Sequence, residues 1–135
     1  MLAGPQATGN LSQQQVDELL QRINRVMENT DRIFSPDFSM ATLCREVGSN
    51  TKYVSMVINA TYNKNFKTLL NERRVREAAR QLSAPGPHNS ATIQQLAFSL
   101  GYSSSTSFII AFKKVMGMTP TVYRRLANER KEHVG

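Results

Sequence analysis

The chain has 135 residues, 40% of them hydrophobic, with one cysteine, no tryptophan and a formal net charge of +7. That length allows one domain or a pair of small subdomains; no stretch is apolar for long enough to cross a bilayer, and no apolar leader core opens the chain. A single cysteine, Cys44, forbids an internal disulfide, which fits a reducing, cytoplasmic setting. The charge is unevenly placed: residues 1–38 hold three arginines against five carboxylates, for −2, whereas residues 39–135 hold fourteen Lys/Arg against five, for +9. Clustered positive charge attracts polyanions and releases their condensed counterions on contact, although a solvated basic surface would have the same composition.

Residues 1–10 contain Gly4, Pro5 and Gly9 and no apolar period, so they read as disordered or as an expression remnant. Ser12 with Gln15 makes a capping box that opens a helix running to about Asn29. Its stripe is Val16, Leu20, Ile23 and Met27, widened by Leu19 and Val26, and covers only two heptads, too few for a coiled coil. The stripe is expected to pack on the following domain, since short amphipathic helices usually bury their stripe locally; the alternative is a homodimer seam or a signalling linker from an upstream part. Segment 11–36 is therefore an amphipathic helix with a linker, closed by the turn Ser35-Pro36-Asp37.

Ser39 then caps a helix with Leu43, Cys44 and Val47 inward, and Gly48 stops it. Ser49 to Lys52 turn into a second helix whose apolar side is Tyr53, Val54, Val57 and Ile58, with Asn63 as a left-handed stop. Asn65 to about Ser83 is one longer helix with Leu69, Leu70, Val75, Ala78, Ala79 and Leu82 apolar. It spans roughly 28 Å at about 1.5 Å per residue, close to the ~34 Å between successive major-groove faces on one side of a duplex. Arg73 or Arg76 is expected to pair with Glu72 or Glu77 at helical spacing. Residues 84–90, rich in Pro and Gly, form a loop.

Beyond the loop, Thr92 and Gln95 make another capping box before Ile93, Leu96, Ala97 and Leu100, and Gly101 ends that helix. The polar run Ser103 to Ser107 opens a helix with Phe108, Phe112 and Val115 inward and Gly117 as its stop. Thr119-Pro120 opens a last helix to about residue 130, with 128–135 as a tail. Two short helices broken by a glycine turn, the second led by short polar residues, follow helix-turn-helix grammar. The pattern occurs twice: Leu43, Cys44 and Gly48 map onto Leu96, Ala97 and Gly101 at an offset of 53, and Val54, Ile58 and Asn63 onto Phe108, Phe112 and Gly117 at 54. The expected fold is all-α, with two helix-turn-helix subdomains (about 39–63 and 92–117) joined by a long helix and preceded by an amphipathic one.

The run Ile93-x3-Ala97-x3-Gly101-Tyr102-x5-Phe108-x3-Phe112-Lys113-Lys114-x2-Gly117-x-Thr119-Pro120-x2-Tyr123-Arg124 closely resembles the C-terminal signature of AraC-type bacterial transcription regulators. The pattern fixes many positions, and that family also carries two helix-turn-helix units. The resemblance covers about residues 37–127 and implies a sequence-specific regulator, an activator touching RNA polymerase, and often the output end of a longer protein such as a membrane sensor or a response-regulator hybrid. Two departures are mild: Cys44 stands where alanine is usual and Asn63 where glycine is usual.

The solvent-facing positions of the first reading helix are Asn50, Thr51, Lys52, Ser55, Met56 and Asn59. Lys52, Ser55 and Met56 fall where, by resemblance, base-contacting side chains sit; Lys52 suits guanine and Asn59 adenine. Ser105, Thr106, Ser107, Ile109 and Ile110 take the equivalent face of the second. Ile110 stands where the family commonly has arginine or another polar reader, so weaker direct readout is expected there, and a slight rotation of the helix would instead bury Ile109 or Ile110. Lys64, Lys67, Lys113, Lys114, Arg124 and Arg125 are candidates for phosphate contacts, joined by the helix N-termini at Asn65 and Thr119. Arg74, within the family-like Arg74-Val75-x2-Ala78, is structural by resemblance.

Enzymatic chemistry finds little to work with. His88, His133 and Cys44 form no metal spacing, and neither a phosphate-binding glycine loop nor a nucleophile elbow occurs, so no cofactor or metal is expected. The competing class is a protein-interaction module that docks an acidic partner through its basic helices, with Ile109-Ile110 as the contact patch.

Overall fold

The computed structural model describes residues 10–84 and 91–134. Among them lie eight helices and no strand: α1 (Gln13–Met27), α2 (Thr30–Ile33), α3 (Met40–Val47), α4 (Thr51–Tyr62), α5 (Phe66–Ser83), α6 (Ile93–Ser99), α7 (Ser105–Met116) and α8 (Pro120–Val134). The chain divides into two compact units, Met1–Leu70 and Asn71–Gly135, with the boundary inside α5. The expectations for the first nine residues and for the loop 85–90 lie outside the described residues.

In the first unit, Ser12 accepts the Gln15 N–H at 3.1 Å while Gln15 Oε1 accepts the Ser12 N–H at 2.9 Å, so the expected capping box starts α1. Leu19, Ile23 and Met27 are buried, and Val16, Leu20 and Val26 pack partly against them. The stripe of α1 therefore lies against α3 and α4 and belongs to the chain's own core. The helix stops at Met27 rather than Asn29. Asn29 instead caps the short α2, its side chain accepting the Asp31 N–H at 3.1 Å, which places Ile33 in the core. Phe38 follows after the Ser35-Pro36-Asp37 turn and meets Phe66, ring centroids 5.8 Å apart.

Leu43, Cys44 and Val47 of α3 and Val54, Val57 and Ile58 of α4 complete this core, together with Leu69 and Leu70 of α5. Gly48 ends α3 at φ 70 and Asn63 ends α4 at φ 56, both left-handed as expected; glycine takes that backbone freely, and asparagine at the lowest cost among residues with a Cβ.

In the second unit, Val75, Ala78, Ala79 and Leu82 of α5 are buried, as are Leu96, Ala97, Leu100, Phe108, Ala111 and Phe112. The Thr92–Gln95 capping box starts α6, and Gly101 takes φ 97 just beyond its end. An aromatic chain runs through this core: Tyr102 to Phe108 at 5.5 Å, Phe108 to Phe112 at 5.8 Å and Phe112 to Tyr123 at 5.5 Å between centroids. Val115 differs from expectation. It is 39% exposed, and Ala111 takes the third inward place on α7. Helix α8 also runs further than expected, to Val134, because residues 124–134 contain good helix formers and no breaker.

Candidate nucleic-acid interface

Helices α4 and α7 are built alike. Each has twelve residues. Asn50 caps α4 by accepting the Tyr53 N–H at 2.8 Å, and Ser104 caps α7 by accepting the Ser107 N–H at 3.1 Å. Each ends on a left-handed residue, Asn63 or Gly117. With 3.6 residues per turn, positions i, i+4 and i+7 share one face. That outward face is Lys52, Met56 and Asn59 on α4, and Thr106, Ile110 and Lys113 on α7, opposite the buried Val54, Val57, Ile58 and Phe108, Ala111, Phe112.

Within α4, Asn50 is exposed, but its side-chain oxygen is taken by the cap. Thr51 is exposed, with its hydroxyl 3.9 Å from the buried Cys44 thiol. Lys52 is exposed and its ammonium lies 5.8 Å from the Tyr53 ring centroid. Ser55 and Met56 are half-buried; Asn59 is exposed and donates one amide hydrogen to the Ser55 carbonyl at 2.9 Å. On α7, Ser105 is half-buried and Thr106 exposed. Ser107 is exposed but tied twice to the Ser104 hydroxyl, which also donates to its Oγ at 3.0 Å. Ile109 is half-buried, and Ile110 is 64% exposed.

The candidate phosphate ligands divide by environment. Lys67, Lys113 and Lys114 are exposed; Lys64 is half-buried. Arg125 reaches Glu129 at 3.4 Å in an exposed i,i+4 pair, an interaction of little energetic weight. Arg124 is half-buried and donates to the Ala91 carbonyl at 2.7 Å, so it anchors α8 to the segment that leads into α6. At the helix starts, the Asn65 side chain accepts the Thr68 N–H at 2.8 Å and Thr119 Oγ1 accepts the Val122 N–H at 3.3 Å, leaving fewer free backbone donors for a phosphate.

Of the two acids expected to pair with Arg73 or Arg76, Glu77 has another partner. Glu77 accepts both branches of Arg80, at 2.9 and 2.7 Å, and Gln81 at 2.8 Å. The Arg80 hydrogen bonds hold the Glu77 carboxyl below its ordinary range. Arg74 is 6% exposed, as its structural role by resemblance implied; its guanidinium sits 5.3 Å from the Tyr102 ring centroid.

Several supports were not evident in the sequence. Arg22 donates from Nε to the Val47 carbonyl at 2.9 Å, satisfying the end of α3, and the Tyr62 hydroxyl donates to Asn24 Oδ1. Both bonds link α1 to the helix-turn-helix across long sequence separations, which periodicity does not reveal. Elsewhere, Arg32, Ser35, Asp37, Phe38, Thr42 and Arg45 line a pocket of about 230 Å³; Arg32 pairs with Glu46, and Arg45 reaches the Thr42 hydroxyl at 3.5 Å. Among the described residues no group of three or more His, Cys, Asp and Glu could hold a metal ion, and no helix is long and apolar enough to cross a membrane.

Tyr102 offers a pH test. Its hydroxyl donates to Asn71 Oδ1 at 2.8 Å, and burial pushes its phenol up to about 12, against a smaller opposing pull from Arg74. The same burial lowers Arg74. A folded value above the unfolded one means that the neutral phenol stabilises fully below pH 10, and that this is lost as pH rises through about 12. The loss is on the order of 2–3 kcal/mol. Tyr102→Phe is expected to cost about 1 kcal/mol near neutrality through the lost hydrogen bond and to flatten the alkaline limb, read from urea midpoints between pH 9 and 12. An unchanged alkaline slope would contradict this assignment.

Two helix pairs, each presenting a capped, outward-facing helix with polar and basic side chains, define a DNA-binding protein of the helix-turn-helix class. A family model described as a helix-turn-helix domain matches residues 43–126. The chain belongs to that family, as the AraC-type DNA-binding domain of a transcription regulator. The family is one of transcription-factor domains and not of enzymes. An uncharacterized HTH-type transcriptional regulator of Staphylococcus aureus is 28% identical over 103 residues, 76% of this chain and 13% of that protein. A putative AraC-like transcription regulator of Streptomyces lividans is 31% identical over 88 residues, 65% of this chain and 28% of that one. The chain thus spans only a small part of these relatives. Among solved structures, the C-terminal domain of AraT, a response regulator from Geobacillus stearothermophilus, shares the fold with a TM-score of 0.67 at 24% identity, covering 81% of this chain and 84% of that one. The DNA-binding domain of AdpA, a global transcriptional factor, in complex with a target DNA, aligns with a TM-score of 0.65 at 17% identity, covering 87% and 96%.

Proposed function

We propose that this chain reads a specific duplex through α4 and α7 in successive major grooves, and that it is the cytoplasmic output part of a larger regulator that activates transcription through contact with RNA polymerase. The observation carrying this reading is the matched pair of helices, equal in length, each with a side-chain N-cap and a left-handed C-cap, and each with polar and basic side chains on its outward face. The AraT domain, from a response regulator, supports the output role; the AdpA domain, seen with a target DNA, supports duplex recognition. Leu19, Ile23 and Met27 are committed to the chain's own core, which favours binding as a monomer over a dimer seam along α1.

Selection from random duplexes tests the reading and would return the operator. Affinity for the selected duplex is expected to fall steeply with salt, by about 10³-fold or more between 50 and 200 mM if six or more phosphates are contacted. Binding without any duplex preference would favour the protein-interaction alternative. Two substitutions separate the roles. Lys52→Ala is expected to relax preference at one base position, at about 1–3 kcal/mol of discrimination. Lys113→Ala should weaken all duplexes alike and reduce the salt slope by about one. Identical behaviour of the two variants in competition binding would overturn the assignment.

A further inference from the structure

We infer that Ile110 makes the second unit a reader of the thymine methyl group, so that its half-site is specified by an apolar contact rather than by a directed hydrogen bond. The inference deepens the duplex-reading proposal above and rests on it.

Ile110 is the most exposed of the large hydrophobic residues on the chain's described surface, at 64%, against 48% for Phe98 and 39% for Val115 and Leu126. It stands at the middle of the outward stripe of α7, one turn after the exposed Thr106 and one turn before the exposed Lys113. Its place is fixed by the helix rather than by chance of rotamer: Phe108, Ala111 and Phe112 hold the opposite face in the core, and the Ser104 cap sets where the helix begins. An isolated apolar tip with polar and cationic neighbours along its stripe is a poor protein-docking patch, because such patches are contiguous. It suits a groove whose walls are phosphates and whose floor carries single methyl groups.

The thymine C5-methyl is the apolar feature that a base pair presents in the major groove. Isoleucine neither donates nor accepts a hydrogen bond, so at this position it cannot use the hydrogen-bonding edges of guanine, cytosine or adenine. It can bury its own methyls against that of thymine, removing both from water. Lys113 and Lys114, exposed on the following turn, supply charge complementary to the flanking backbone. The first unit differs at the matched position: Met56 is half-buried between Lys52 and Asn59.

The test deletes the methyl group alone. In the duplex returned by selection, each thymine of the half-site assigned to the second unit by footprinting is replaced singly by deoxyuridine. This leaves the pairing and hydrogen-bonding edges unchanged. Wild-type protein is expected to lose about fourfold in affinity at one position, the effect of one buried methyl, and Ile110→Ala to bind the thymine and deoxyuridine duplexes equally. Ile110→Val, which keeps a branched tip, should retain most of the discrimination. Since Ile110 is exposed, both variants are expected to melt like wild type. Equal binding of every deoxyuridine duplex by wild type, or the same loss in Ile110→Ala, overturns the methyl contact while leaving duplex reading intact. Equal binding of the selected and a scrambled duplex overturns both.

Discussion

Phe108→Ala is expected to destabilise the protein by about 3–5 kcal/mol, a large fraction of the roughly 5–15 kcal/mol by which domains are stable. Phe108 is fully buried and is the middle of the aromatic chain, in contact with Tyr102 on one side and Phe112 on the other. Truncation removes an entire ring from α7, and the ring positions of Tyr102 and Phe112 bound the void it leaves. The cavity cannot be filled by simple collapse, because Phe112 is itself held against Tyr123 of α8. Urea unfolding followed by helical circular dichroism should show a midpoint shift of this size, with duplex binding lost once the variant is partly unfolded. A cost below about 1 kcal/mol would mean that α7 is not anchored through this residue.

The second large effect is expected at Ile23. This side chain is buried, at 0% exposure, in the core that α1 shares with α3 and α4. Ile23→Ala should cost about 2–5 kcal/mol. Removal of residues 1–28 should go further. It uncovers the sides of α3 and α4 on which α1 packs, withdraws the Arg22 hydrogen bond from the Val47 carbonyl and leaves the Tyr62 hydroxyl without Asn24. The shortened chain is expected to lose cooperative melting of the first unit and, with it, half-site protection in footprinting by α4. A shortened chain that melts and footprints like the full one would show α1 to be an appendage.

Local chemistry made most of the helices legible. Ser12, Ser39 and Thr92 announced helix starts because each needs only its own backbone three residues on, and Gly48, Asn63 and Gly117 announced ends because few residues accept the left-handed backbone found there. The outward residues of α4 and α7 followed from the same periodicity that located the core. What escaped was set by distant parts of the chain. The four residues of α2 are too few to show a period, and the adjacent Ser35-Pro36-Asp37 signal masked them. Val115 has the right phase to point inward, but phase gives direction and not the reach of the element that would cover it. Glu77 had several arginines at helical spacing, and Arg80 won by offering two parallel donors. Asn50 and Ser107 were legible as exposed, yet their cap bonds limit what they can offer a base.

The equal length and matched ends of α4 and α7 have an evolutionary consequence. Their outward residues can diverge one copy at a time, since neither the caps nor the buried faces depend on them. If α4 and α7 each read one half of an operator, as proposed, such a regulator can acquire a new address in one half while the other half still directs it to the old gene.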